Sequence, residues 1–161
     1  MQWRTWMDSP VGRLQLIATD DGVSAVLWEG EDGSRIGQGP VQDRDDHPVL
    51  EETARQLNEY FAGTRQSFDL PMDARGTPFQ HEVWAALRAI PYGETRSYGD
   101  IARSLGRPKA FRAVGAANGR NPLSIVSPCH RVIATGGGLG GFAGGLAVKS
   151  RLLDMERSDR P

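Results

Sequence analysis

One residue in the chain carries a thiol, and its neighbours are of the kind that would activate it. The stretch Ser127-Pro128-Cys129-His130-Arg131-Val132-Ile133 sets this single cysteine between a proline and a histidine–arginine pair, ahead of two β-branched residues. Pro128 fixes its own φ and pushes Ser127 towards an extended conformation, so Cys129 sits on a backbone of little freedom. A thiol attacks as the thiolate, which cationic and imidazole neighbours favour. His130 is the candidate base, acting directly or through a water, and Arg131 adds positive charge nearby. On an extended chain adjacent side chains point to opposite faces, which leaves a direct Cys129–His130 hydrogen bond open. A lone cysteine is ordinarily a small buried hydrophobe. The Pro-Cys-His-Arg run argues for a nucleophile instead.

The net charge of −1 hides a division. Residues 1–75 hold seven arginines against fourteen acids, a net of −7, whereas residues 76–161 hold twelve basic residues against six acids, a net of +6. Between Arg96 and Arg131 the only acid is Asp100. A basic half beside an acidic half is the footprint of a polyanion-binding module carried on one that does not bind. One cysteine excludes an internal disulfide and fits a reducing cytoplasm. One cysteine and three scattered histidines offer no ligand cluster, so no metal is expected. No apolar run approaches a membrane span. Met1 to Thr5 lacks the basic and apolar regions of a signal peptide.

The elements that must position these residues follow from pattern. Residues 3–7, 13–18 and 23–28 read as three strands, with Asp20-Asp21-Gly22 as a hairpin turn. Residues 29–46 form a polar, aperiodic loop. His47 to Ala62 is amphipathic, with Val49 or Leu50, Ala54, Leu57, Tyr60 and Phe61 on one side and His47 as a surface or capping residue. Residues 67–70 predict a short strand. Thr77-Pro78-Phe79-Gln80 opens a helix with a capping box and proline at its first position. Its buried face takes in Phe79, Val83, Trp84, Leu87 and Ile90, with His81 among them. Ser97 to Gly106 and Arg107 to about Asn118 read as two short helices around a glycine turn, a helix-turn-helix. On the second, Ala110, Val114 and Ala117 face inward, and Lys109, Arg112, Ala116 and Gly119 face out. Two cations among residues with almost no side chain suit close approach to DNA. The glycine-rich residues 136–145 lack the strand–GxGxxG–helix setting of a nucleotide loop and suit a flat ligand better. A last helix runs from Leu146 to Arg157.

The run Pro128-Cys129-His130-Arg131-Val132 resembles the active-site motif of the O6-alkylguanine-DNA alkyltransferases, also called methylated-DNA–protein-cysteine methyltransferases, in their bacterial form. Ser97-Tyr98, Arg112-Ala113-Val114-Gly115, Asn121-Pro122 and Gly144-Gly145 follow the family's order and spacing, and the resemblance is dense from Thr77 to Glu156. It implies an α/β (α+β) fold. Residues 1–73 would be a scaffold of a small antiparallel sheet with a helix, and residues 74–161 a DNA-binding and transfer domain. It implies Cys129 as alkyl acceptor, His130 as water-linked base, Glu156 as the carboxylate that orients it, and Asn121 as the pin of the turn before the cysteine. Tyr98 would crowd the target phosphate and donate to the base. Arg112 would enter the stack in place of the flipped nucleotide, with Lys109, Ala116 and Arg120 on the DNA side. Val132, Phe142, Ala143 and Gly144 would line the guanine pocket. Phe142 and Ala143 replace a Tyr-Ser common in relatives, and Phe111 stands where relatives often have a small residue. Some relatives hold a structural zinc on N-terminal cysteines, which are absent here.

The implied reaction is direct, irreversible transfer from O6-alkylguanine in double-stranded DNA to the protein's own cysteine, one turnover per molecule. O4-alkylthymine is a second candidate substrate. No cofactor and no membrane partner are expected, and the protein would be a cytoplasmic monomer, with clustering along DNA left open. A non-enzymatic base-flipping protein would not need Cys129. A cysteine hydrolase would not explain the basic helix-turn-helix, and a transcription factor would not need the Cys-His pair.

Overall fold

Trp3–Met7 (β1), Leu14–Ala18 (β2) and Val23–Leu27 (β3) pair antiparallel in sequence, as two short turns dictate. The computed structural model describes residues 1–158, and in it these strands belong to the first of two compact units, Met1–Arg75. Gly22 in the second turn has no room for a side chain. A methyl group there would lie 2.7 Å from the Pro71 carbonyl oxygen, because residues 71–73 bond to Val23 on both sides, Val23 N to Pro71 O at 2.9 Å and Asp73 N to Val23 O at 2.8 Å.

All ten residues of β2 and β3 are buried, so these strands are covered on both faces rather than on one. Pro48–Phe61 (α1) packs against the sheet. Ile36 and Val41, from the stretch expected to be only loop, pack on Ile17, Ala25 and Leu27. That stretch also supplies Gln42–Asp43 (β4), which runs parallel to β1 and makes the sheet order β3-β2-β1-β4. The sheet is therefore mixed, not purely antiparallel. Two residues are too short for any period to announce.

Two expectations in this unit give way. Residues 67–70 form no strand, because Gln56 takes the place of a strand partner: its amide donates to Asp69 O at 2.9 Å and accepts from Asp69 N at 2.9 Å. Gln56 and Thr53 are thus buried on α1 where Ala54 was expected, each with its polar atoms satisfied. His47 takes the second of its two expected roles, the N-cap, and is buried there. Its Nδ1 accepts from Val49 N at 3.2 Å, and its Nε2 lies 3.1 Å from Asp20 Oδ1.

The second unit starts at Gly76. Pro78–Arg88 (α2) begins with the reciprocal Thr77–Gln80 capping box. Tyr98–Ser104 (α3) begins with the equivalent Ser97–Asp100 pair. Phe111–Gly119 (α4) starts later than the sequence suggests, since residues 108–110 form a turn behind Pro108 and Ala110 is an N-cap without a side-chain bond. The three helices pack on one another through Val83, Trp84, Leu87, Ile101, Ala102, Val114 and Ala117, all buried. Trp84 locks this core, its indole N–H donating to Ala117 O at 2.9 Å. His81 is exposed and stacks edge-on against Trp84, so it leaves the buried face predicted for it. Arg96–Ser97 (β5) pairs parallel with Val132–Ile133 (β6), and Leu146–Ser158 (α5) closes the unit.

Candidate active site

Cys129 is delivered by a sequence of tight turns. The amide of Val126 bonds to Ser124 O at 2.8 Å across Ile125, which holds φ at 71° although it is β-branched and buried. Non-glycine residues of this shape avoid that region, so local strain is stored immediately before the site. The amide of Cys129 bonds to Ser127 O at 2.7 Å across Pro128, a second three-residue turn. Asn121 binds the whole corner: its amide donates to Ser127 O at 2.7 Å and its oxygen accepts from Leu123 N at 3.1 Å. Arg88 adds a bond to Ser127 Oγ at 2.8 Å.

Cys129–Arg131 then makes one turn of 3-10 helix, not extended chain, and Cys129 is 6% exposed. The expected opposition of neighbouring side chains on a strand therefore does not apply. His130 is fully buried, with Nε2 2.7 Å from Glu156 Oε2. Burial holds the imidazole below its ordinary pKa, with Glu156 pulling the other way. The neutral ring donates Nε2–H to the carboxylate, and Nδ1, also buried, carries a lone pair with no partner among the described residues.

Arg131 also holds the carboxylate behind His130. Its guanidinium grips Glu156 through Nε at 2.8 Å and Nη2 at 3.1 Å, and Nη1 donates to Ile90 O at 2.8 Å. Burial alone would raise the Glu156 carboxyl, but the bonds and charges of His130 and Arg131 outweigh it and hold the pKa at about 2. The guanidinium is therefore paired directly with Glu156, a partner that the sequence did not announce.

Lys149 is the residue that the sequence reading passed over. It is fully buried, donating from Nζ to Val132 O at 2.7 Å and to Leu139 O. Burial lowers its pKa, and negative charge at Cys129 partly restores it. A signal was present. Lys149, Leu152, Leu153 and Glu156 share the buried face of α5 at the spacing i, i+3, i+4, i+7.

Tyr98 and the glycine-rich segment complete the surroundings. Burial raises the phenol pKa, and charge at Cys129 adds to the effect. The ring lies between two glycines: a methyl group on Gly140 would sit 3.1 Å from the hydroxyl, and one on Gly115 would sit 3.8 Å from the ring edge. Gly140 holds φ at 72°, which a glycine adopts without strain. Phe142 is half-buried with its ring 5.8 Å from Lys149 Nζ, Gly144 is half-buried, and Ala143 is exposed.

The exposed side of α4, the turn before it and its C-cap carry Lys109, Arg112, Ala116 and Arg120. None of these three cations pairs with an acid among the described residues. A cleft of about 460 Å³ between α2 and α3, lined by Ala86, Ala89 and Arg96 among others, includes neither Cys129 nor His130. The structure thus brings Cys129, His130, Glu156, Tyr98, Asn121 and Val132 together. It leaves Arg112, Lys109, Ala116 and Arg120 on a separate open surface.

Two family models match the chain. The ribonuclease-like domain of 6-O-methylguanine DNA methyltransferase matches residues 3–74, and the DNA-binding domain of the same family matches residues 78–158. The chain is 46% identical to the constitutive methylated-DNA–protein-cysteine methyltransferase of Bacillus subtilis, over 98% of this chain and 96% of that one. It is 45% identical to the enzyme of that name from Methanosarcina acetivorans, over 94% and 96%. The crystal structure of Mycobacterium tuberculosis OGT in complex with DNA superposes with a TM-score of 0.88 at 43% identity, covering 99% of this chain and 95% of that one.

Proposed function

The chain belongs to the 6-O-methylguanine DNA methyltransferase family, and from that premise we infer how its own residues perform the transfer. The protein repairs DNA by moving the alkyl group of O6-alkylguanine directly and irreversibly onto a cysteine of its own chain, once per molecule. The observation that carries the assignment to Cys129 is the buried His130–Glu156–Arg131 chain that begins at its neighbour.

The target carbon is saturated, so attack must come in line from the face opposite O6, and a soft thiolate suits it. The atom lies within the base stack, so the nucleotide is rotated out of the duplex first. We assign the thiol proton to His130 Nδ1, reached through a bridging water. Glu156 accepts the opposite N–H and stabilises the imidazolium, and Arg131 keeps that carboxylate charged and in place. The sulfur–carbon bond forms as the carbon–O6 bond breaks, and the electron pair passes to guanine. Tyr98, kept protonated by burial, donates its hydroxyl to the leaving base. Lys149 holds the Val132 and Leu139 carbonyls and so ties the glycine-rich segment to the pocket edge that Val132, Phe142, Ala143 and Gly144 would form. Arg112 fills the space that the nucleotide leaves, and Lys109, Ala116 and Arg120 meet the backbone around it. The thioether has no group to reverse it, which is why each molecule acts once.

In this reading residues 1–73 are scaffold and residues 74–161 carry DNA binding and transfer. No described helix is long and apolar enough to cross a membrane. We place the protein in the cytoplasm, where a thiolate stays reduced. O4-alkylthymine stands as a second candidate substrate. The test is intact-protein mass after mixing with duplex containing O6-methylguanine, followed by peptide mapping. One methyl group per molecule on Cys129 is expected, and Cys129→Ala should bind DNA without accepting it. Many turnovers, or an unmodified Cys129, would overturn the assignment.

A further inference from the structure

Phe111 is a large apolar side chain left 48% exposed at the first residue of α4. Its surroundings make that exposure unusual. Lys109 and Arg112 flank it, both exposed and without an acidic partner among the described residues, and the rest of the open side of α4 is Ala113, Ala116 and Gly119. Phe111 is the one large apolar side chain on this basic surface of small residues. The Arg112 guanidinium lies 5.8 Å from the ring centroid, at the outer edge of cation–π range, and about half of the residue stays open to solvent.

We propose that Phe111 is itself a DNA-contacting residue, entering the strand beside Arg112 so that its ring meets base surface next to the extruded nucleotide. This rests on α4 being the helix that faces DNA. Extruding a nucleotide exposes the faces of its neighbours, and a guanidinium can satisfy polar edges there but covers little apolar surface. An aromatic ring covers it well, and apolar side chains are the groups that part base steps elsewhere. Two adjacent residues then divide the work: Arg112 supplies charge and hydrogen bonds, Phe111 supplies stacking area.

The experiment compares single-turnover alkyl transfer by the full chain and its Phe111→Ala, Phe111→Trp, Arg112→Ala and doubly substituted variants. Each is given O6-methylguanine in duplex DNA and, separately, O6-benzylguanine as the nucleobase. Losing one stacked ring should slow Phe111→Ala about tenfold on duplex, with the nucleobase rate changed by less than about twofold because nothing has to be unstacked. Phe111→Trp should stay near the parent. The salt dependence of DNA binding should keep its slope, since no cation has been removed. In the Arg112→Ala background, Phe111→Ala should still cost several-fold on duplex. A loss that vanishes in that background would reduce the ring to a shelf for Arg112 and overturn the proposal. Equal losses on both substrates, or no loss on duplex, would also overturn it. A parent protein that accepts no methyl group at all would instead sink the transfer reading, whatever Phe111 does.

Discussion

Replacing Glu156 by glutamine tests the buried chain behind the site most directly. The carboxylate is 1% exposed and accepts from His130 Nε2 and from two nitrogens of Arg131, which is itself 5% exposed. Glutamine keeps the shape but leaves the guanidinium as an uncompensated buried charge, which costs about 3–5 kcal/mol. A second route gives a similar figure. A carboxyl held at about 2 in the fold against about 4.3 when unfolded stabilises the native state by roughly 3 kcal/mol at neutral pH. Because the folded value is depressed, that contribution is complete above the unfolded pKa and is lost as pH falls through about 2. Urea unfolding of the full chain at pH 7 should therefore show Glu156→Gln less stable by about 3–5 kcal/mol, and thermal unfolding a fall in Tm on the order of 6–20 °C. Substituting Arg131→Met in addition removes the stranded cation, so the double variant should recover about 2 kcal/mol. A single-variant loss below about 1 kcal/mol would refute the reasoning. So would a double variant in which the two losses simply add.

Arg112→Ala should slow transfer from alkylated duplex by tenfold or more, on the order of the few kcal/mol that unstacking costs, and hardly alter transfer from O6-benzylguanine as the nucleobase. Equal losses on both substrates would make Arg112 a pocket residue instead. Gly140→Ala forces a side chain into left-handed backbone and towards the Tyr98 hydroxyl, so it should reduce transfer of a benzyl group about tenfold more than transfer of a methyl group, a difference of about 1.4 kcal/mol. Rates for the two groups that fall in parallel would show that Tyr98 and Gly140 do not bound the alkyl side of the pocket.

The chemistry-bearing stretch was legible in one dimension because its residues are neighbours. Pro128, Cys129, His130 and Arg131 declare a constrained nucleophile by adjacency alone, and the capping boxes at Thr77 and Ser97 are likewise local, each closed within four residues. The charge division, too, is a matter of counting. What lay outside the sequence was every decision that depends on which distant atom fills a given space. Arg131 looks like a source of charge for its neighbour two residues back, and only the arrival of Glu156, 25 positions on, turns it into a clamp for the base. Lys149 looks like a solvated cation until its burial against the Val132 carbonyl is seen. Gln56 bonds the backbone of Asp69 and cancels a strand that propensity favoured. Local pattern reports what a residue prefers, but a buried polar group goes where its partner is, and that partner is set by packing.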